Sequence, residues 1–121
     1  MEVSKFKKNE VIFKYGDFGS CMYEVRWGKV GIYDKYGEKE QRLLKELEPG
    51  ECFGELGLIE VRPRSATAVA LERDTQCAKI TNDDFSEFFS EKPAKVLEIM
   101  QLMSHRIREL SDEVAKLREK K

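Results

Sequence analysis

The stretch FGELGLIEVRPRSATA, Phe53–Ala68, contains a carboxylate, Glu55, and a guanidinium, Arg64, each beside small residues. Gly54 permits close backbone approach or an unusual φ, and the free N–H groups of a helical turn after it would suit an anionic oxygen. Arg64 brings a planar fork of donors that can bind a phosphate in bidentate fashion. Glu55 only accepts hydrogen bonds when ionised, so beside an anion it has to face hydroxyl donors. Each group alone is typical of a solvated turn, but together they predict a pocket for a sugar phosphate.

The chain on both sides of this stretch reads as short strands separated by turns, from Glu10 to Ile80. Apolar and polar residues alternate in CMYEVRW, Cys21–Trp27, and Gly28 then turns the chain into VGIY. Further strands are predicted in VIFKY, in QRLLKEL and in both halves of ATAVALERDTQCAKI. Many short strands with Gly and Pro between them indicate a sandwich or a barrel.

The pattern becomes helical after these strands. Asn82 or Asp83 could cap a helix over DDFSEFF, and Pro93 suits the first turn of a long second helix. The predicted fold class is therefore α+β: an antiparallel β-roll (a jelly-roll-like, double-stranded β-helix) followed by C-terminal helices. We expect a single domain over residues 1–121, with the roll at about 6–81 and the helices at about 82–120.

Charge and composition argue against several classes of protein. The 22 basic and 23 acidic residues leave a net charge of −1, which gives no long-range field to attract nucleic acid or anionic lipid. No apolar run is long enough to span a membrane, and the charged N-terminus does not resemble a secretory signal. Cys21, Cys52 and Cys77 lie far apart, so they are predicted to be buried or half-buried thiols of a cytoplasmic protein.

Catalytic machinery is not evident in the sequence. His105 is the single histidine and is expected to be solvated, so no zinc site of a usual type can form. No pairing of a nucleophile with a base is recognisable either. We therefore expect no catalytic residues, no metal and no cofactor, and the hypothesis of a small β-barrel enzyme is disfavoured.

The quoted stretch resembles the phosphate-binding cassette of cyclic nucleotide-binding domains, a family shared by bacterial cyclic AMP receptor regulators, kinase regulatory subunits and nucleotide-gated channels. The family pattern runs F-G-E, a small or apolar pair, then P-R and small residues. Here it reads Phe53-Gly54-Glu55-Leu56-Gly57-Leu58, then Pro63-Arg64-Ser65-Ala66-Thr67-Ala68. The similarity extends to Gly16-Asp17, Gly28-Lys29-Val30, Pro49-Gly50-Glu51 and Asp84-Phe85, so it covers nearly the whole chain.

The resemblance implies a non-catalytic sensor module that binds a 3′,5′-cyclic mononucleotide, with cyclic AMP favoured over cyclic GMP. Glu55 would accept a hydrogen bond from the ribose 2′-hydroxyl, and Arg64 would pair with the cyclic phosphate. Backbone N–H groups would complete the anion site, and the implied nucleotide-binding residues are Phe53, Gly54, Glu55, Leu56, Arg64, Ser65 and Ala66. The alternative is a structural or dimerisation module of the same fold that has lost nucleotide binding.

The long C-terminal helix supplies the remaining predictions. In the dimeric bacterial regulators a Thr-Ser pair on this helix faces the purine, and Leu110 and Ser111 stand there as candidate purine contacts. Leu110 lacks the hydroxyl, which leaves the choice of purine open. An apolar row with alternating spacings of four and three is typical of a coiled coil, and it runs Val96, Met100, Met103, Ile107, Leu110, Val114, Leu117. We expect a parallel homodimer through residues 107–117, and neither a nucleic-acid nor a membrane partner.

Overall fold

The computed structural model describes residues 1–55 and 62–119, and ten strands and two helices lie within them. The strands are β1 (Glu2–Phe6), β2 (Val11–Phe13), β3 (Phe18–Gly19), β4 (Cys21–Trp27), β5 (Val30–Asp34), β6 (Arg42–Leu47), β7 (Cys52–Phe53), β8 (Arg62–Pro63), β9 (Thr67–Ala70) and β10 (Thr75–Thr81). The helices are α1 (Phe85–Glu91) and α2 (Pro93–Glu119). Strands followed by helices confirm the predicted α+β class.

Two four-stranded sheets form the roll, in the orders β1-β10-β4-β7 and β2-β9-β5-β6, and β3 pairs with β8. Every described strand pair is antiparallel. Both four-stranded sheets contribute to one apolar core, which consists of Val25, Val30, Leu47, Phe53, Ala68 and Cys77. The sheets therefore pack face to face, which confirms the predicted antiparallel roll.

Strand β4 is central to its sheet, because it bonds to β10 on one side and to β7 on the other. Tyr23 and Val25 belong to the core side, and alternation directs Glu24 to the opposite face. Glu24 is also buried, and its carboxylate accepts a 2.7 Å contact from Arg26 Nε. Because residues on both faces are buried in the first part of β4, from Cys21 to Val25, this strand supports Cys21 rigidly at its start.

Helix α1 begins at Phe85, two residues later than a cap at Asn82 implies and one later than a cap at Asp83 implies. The residue before it is Asp84, whose carboxylate accepts hydrogen bonds from Thr81 N at 3.1 Å and Thr81 Oγ1 at 2.9 Å. These hydrogen bonds hold the pKa of Asp84 below its ordinary value. The local turn therefore uses Asp84, not Asn82 or Asp83, as its carboxylate acceptor.

The chain divides into two compact units, Met1–Ser86 and Glu87–Lys121. The first contains the roll, whose first strand starts at Glu2, and the second contains α2, which begins at Pro93 as predicted. That both units form a single domain stays a prediction. Along α2, Val96 is buried, whereas a row of four apolar residues near the C-terminus is exposed: Ile107, Leu110, Val114 and Leu117.

Candidate functional site

Arg64 is a buried arginine in the loop between β8 and β9, with only 7% of its surface exposed. Its N–H donates to the carbonyl of Asp17 at 2.7 Å, and its own carbonyl accepts from Gly16 N at 2.8 Å. This reciprocal pair of backbone hydrogen bonds ties the loop to the turn before β3. The position of Arg64 is therefore set by residues far away in the sequence.

Among the residues that the structure describes, the recorded partners of the Arg64 guanidinium are neutral groups. Nη1 donates to the carbonyl of Gly54 at 3.1 Å, and Nη2 donates to the carbonyl of Cys21 at 2.9 Å, with Cys21 Sγ at 3.6 Å. Cζ lies 4.3 Å from the ring centroid of Phe13. None of the ion pairs in the described ranges includes Arg64. Because buried charges are normally paired, this permanent cation is well suited to attract an anion.

Two glycines make room for this guanidinium. A Cβ at Gly19 would collide with Nε, Cζ and Nη2 of Arg64. A Cβ at Gly54 would lie 2.8 Å from Nη1, and the φ of Gly54 is +73°, which side-chain-bearing residues rarely adopt. The buried position of Arg64 therefore depends on glycine at both places.

An aromatic cluster borders the guanidinium. The ring of Phe13 lies 6.0 Å from that of Tyr23 and 5.9 Å from that of Phe53, and Tyr23 stacks on Phe53 at 5.3 Å. Burial raises the pKa of Tyr23 to about 12, and the neighbouring Cys21 thiol adds to this while Arg64 opposes it. The phenol therefore stays neutral, and the apolar cluster strengthens the electrostatic interactions of Arg64 by lowering the local dielectric.

The other predicted site residues occupy different environments. Glu55 is buried, at 7% exposure, at the end of the first described segment. Leu56 lies outside the described residues, so its role in nucleotide binding stays a prediction. Ser65 is exposed and Ala66 is half-buried. Phe53 places its side chain in the core, where it supports the aromatic cluster. The structure thus brings Phe53, Gly54 and Arg64 together.

The candidate purine contacts, Leu110 and Ser111, are exposed on α2. Their predicted role stays a prediction. Exposure is compatible with a ligand or with a partner helix, and it excludes a role for either side chain in the apolar core.

Three residues that contact Arg64 were missed in the sequence: Phe13, Gly19 and Cys21. Gly19 had a usable signal, since it follows Gly16 at a short interval and lies two residues before the predicted strand Cys21–Trp27. Phe13 and Cys21 had none, because their contacts exist only once β2, β4 and the loop before β9 meet.

Among residues 1–55 and 62–119, no group of three or more His, Cys, Asp or Glu side chains could hold a metal ion. Neither described helix combines the length and the apolar character needed to cross a membrane. Burial raises the pKa of the Cys77 thiol to about 12, so this cysteine is unreactive.

Comparison with protein families matches the chain to one of them. The family described as the cyclic nucleotide-binding domain matches residues 3–92. This match includes β2, β4 and the loop that carries Arg64, so it contains every residue found in contact with the guanidinium.

Individual relatives agree with this match. The chain is 34% identical over 104 residues to the cyclic AMP receptor protein of Thermus thermophilus, covering 86% of this chain and 48% of that protein. It is 34% identical over 88 residues to human cGMP-dependent protein kinase 2, covering 72% of this chain and 12% of the kinase. The chain thus spans half or less of the length of these relatives.

A solved structure supports the fold independently. The catabolite activator protein of Thermus thermophilus superposes with a TM-score of 0.76 at 32% identity, covering 96% of this chain and 54% of that one. The roll followed by helices is therefore the architecture of known proteins of this type.

Proposed function

The chain belongs to the cyclic nucleotide-binding domain family, and from this premise we propose that it is a non-catalytic sensor that binds a 3′,5′-cyclic mononucleotide, cyclic AMP in preference to cyclic GMP. Members of this family are generally regulatory and not catalytic. A cytoplasmic location and the lack of nucleic-acid and membrane partners remain predictions from the sequence.

The observation that carries the proposal is the buried charge of Arg64, which forms no ion pair with any residue in 1–55 or 62–119. A cyclic phosphate has one negative charge and two oxygens outside the ring, which match the spacing of a guanidinium edge. Nη1 and Nη2 each have a carbonyl partner, while Nε has no hydrogen-bond partner among the described residues. Arg64 thus combines a fixed position with remaining donor capacity, which is what a phosphate site requires.

Glu55 is assigned to the ribose of the ligand. It is buried on the segment that directly follows the Gly54 carbonyl to which Arg64 donates. An ionised carboxylate so near a phosphate site would be repelled by the phosphate and attracted to a hydroxyl. Binding the 2′-hydroxyl therefore gives Glu55 a favourable role and selects ribose over deoxyribose.

The proposed preference for cyclic AMP rests on similarity, because Leu110 lacks a hydroxyl and the helix residues leave the choice of purine open. The match to the Thermus cyclic AMP receptor protein covers 86% of this chain, against 72% for the cGMP-dependent kinase. Ser65 could serve either purine, so it does not discriminate between them. Ser111 keeps a hydroxyl at the candidate purine contact, beside the apolar Leu110.

We assign to α2 the transmission of the signal that ligand binding produces. Its exposed apolar row from Ile107 to Leu117 has the narrow width that suits a partner helix, which supports a parallel homodimer through residues 107–117. A ligand that binds more tightly to one position of this helix would shift the population of that position. Signalling then needs no catalytic residue.

Isothermal titration calorimetry with cyclic AMP and cyclic GMP tests the proposal. The wild type should bind cyclic AMP more tightly, and Arg64→Ala should lose about 2–4 kcal/mol of binding free energy because a desolvated charge pair is removed. Arg73→Ala is the matched control, since the Arg73 side chain is 90% exposed, and it should bind like the wild type.

Two results would contradict the proposal. Unchanged binding by Arg64→Ala would remove the phosphate site from this loop. A wild type that binds neither nucleotide would favour the structural or dimerisation module instead.

A further inference from the structure

We propose that Phe13 is a positioning residue for the anion site: the face of its ring fixes the plane of the Arg64 guanidinium and so directs the remaining donors toward the ligand phosphate. This inference rests on the proposed function, because it names a determinant of affinity at the same site.

The contact has the geometry of a cation–π interaction. Arg64 Cζ lies over the Phe13 ring at 4.3 Å from its centroid, well inside the limit of about 6 Å for such contacts. Arg64 is 7% exposed, and Phe13 is half-buried and packs against the core. Little water therefore screens the interaction, which places it toward the stronger end of its range.

The ring of Phe13 is itself held in place. Tyr23 and Phe53 flank it at centroid distances of 6.0 and 5.9 Å. Tyr23 lies on β4, which is bonded on both sides, and Phe53 is a member of the core. The ring is thus a rigid platform, and a rigid platform is what a positioning role requires.

The carbonyl hydrogen bonds alone leave one motion of the guanidinium weakly restrained. The carbonyls of Gly54 and Cys21 hold Nη1 and Nη2, and the flexible side-chain stem of Arg64 only weakly restrains the tilt of the guanidinium plane about the line between them. Rotation about that line would tilt Nε and the remaining N–H groups. Contact with the Phe13 ring supplies the third restraint, so the donors keep one direction before a ligand arrives.

Preorganisation of this kind raises affinity by lowering the cost of ordering on binding. Phe13→Leu, which removes the ring but keeps an apolar side chain, should therefore weaken cyclic nucleotide binding about 3- to 30-fold. Phe13→Tyr keeps the ring face and should bind within about twofold of the wild type.

A double-mutant cycle separates this role from general packing. Arg64→Gln removes the cation but keeps a planar side chain, and nucleotide affinity is measured by calorimetry for wild type, each single variant and the double variant. In the Arg64→Gln background, Phe13→Leu should change the affinity less than about twofold. The same loss in both backgrounds would overturn the role of Phe13, because packing alone would then explain it.

A nuclear magnetic resonance measurement supplies a readout that core packing alone would not move. The Arg64 Nε–H signal, identified by its disappearance in Arg64→Gln, should be shifted upfield by the Phe13 ring in the free protein. It should stay there in Phe13→Tyr and move downfield in Phe13→Leu, or in Phe13→Met if the leucine variant does not fold. An unshifted signal in the wild type would overturn the proposal. A wild type that binds neither nucleotide would instead refute the proposed function itself.

Discussion

Replacing Gly19 with alanine is the sharpest test of the site, because it adds one methyl group at the point where the Arg64 guanidinium lies. The added Cβ would collide with Nε, Cζ and Nη2. These atoms cannot move aside without losing the carbonyls of Cys21 and Gly54 and the ring of Phe13. The φ of Gly19 is not in the left-handed region, so the backbone accepts alanine. The variant should therefore fold with Arg64 displaced.

Gly19→Ala should lower the affinity for the nucleotide much more than it lowers the folding stability. Displacement removes two charge-assisted hydrogen bonds, each worth about 1.5–3 kcal/mol, and one cation–π contact of about 0.5–2 kcal/mol. The charge regains hydration on leaving the site, so the net loss of folding stability should be only about 1–2 kcal/mol. The ligand, however, loses its cation, and its affinity should fall by about 30- to 1000-fold, as for Arg64→Ala.

Calorimetric titration with cyclic AMP and urea denaturation of the same samples measure both quantities. The control is Ser20→Ala at the exposed neighbouring position, which should match the wild type in affinity. If Gly19→Ala folds and binds within about twofold of the wild type, the guanidinium position described here is not the one used by the ligand, and the reasoning fails.

Three further predictions concern other residues. A 2′-deoxy cyclic nucleotide should bind the wild type more weakly than the ribose form, and Glu55→Gln should show much less difference; an equal loss in both proteins would place Glu55 elsewhere. Sedimentation equilibrium at tens of micromolar should show a dimer that Leu110→Asp/Leu117→Asp dissociates, whereas a wild type that is monomeric with and without nucleotide would refute the homodimer through residues 107–117. Because the pKa of Asp84 is lowered by its hydrogen bonds from Thr81, its ionised form favours the folded state above the unfolded pKa, and this contribution disappears as the pH falls through the folded pKa. Urea denaturation should therefore find Asp84→Asn less stable than the wild type at neutral pH and closer to it in acid; a constant difference would exclude the carboxylate charge as the cause.

The parts of the fold that were predictable are those with a clear period. Alternation in CMYEVRW predicted β4 with its observed bounds, and Pro93 marked the start of α2. Strands of two residues, such as β3 and β8, are too short to show any period, and only their mutual pairing reveals them. In β1 the charged residues Glu2 and Lys5 obscured a strand that is defined by its pairing with β10.

The residues of the candidate site likewise include some that the sequence suggested and others that only the structure reveals. Gly54 and Arg64 were proposed because of their chemistry within one short stretch, and the structure places them in contact, while their role in binding stays a prediction. The partners of Arg64 were not, because Cys21 lies 43 residues away and contributes a backbone carbonyl, which every residue has. Phe13 in turn resembles any core aromatic until the position of Arg64 is known.

The long separation between Arg64 and Cys21 also affects how the protein folds. Contacts between residues 43 positions apart form only when a large loop has closed, so the arrangement of groups around Arg64, which we propose binds the anion, depends on tertiary structure. Unfolded and partly folded chains then lack the site, and any ligand of Arg64 adds stability to the native state alone. By mass action, a ligand at a concentration of about 100 times its Kd would raise the free energy of unfolding by about 2.7 kcal/mol. For a chain of 121 residues, that amounts to a large part of a typical total stability of about 5–15 kcal/mol.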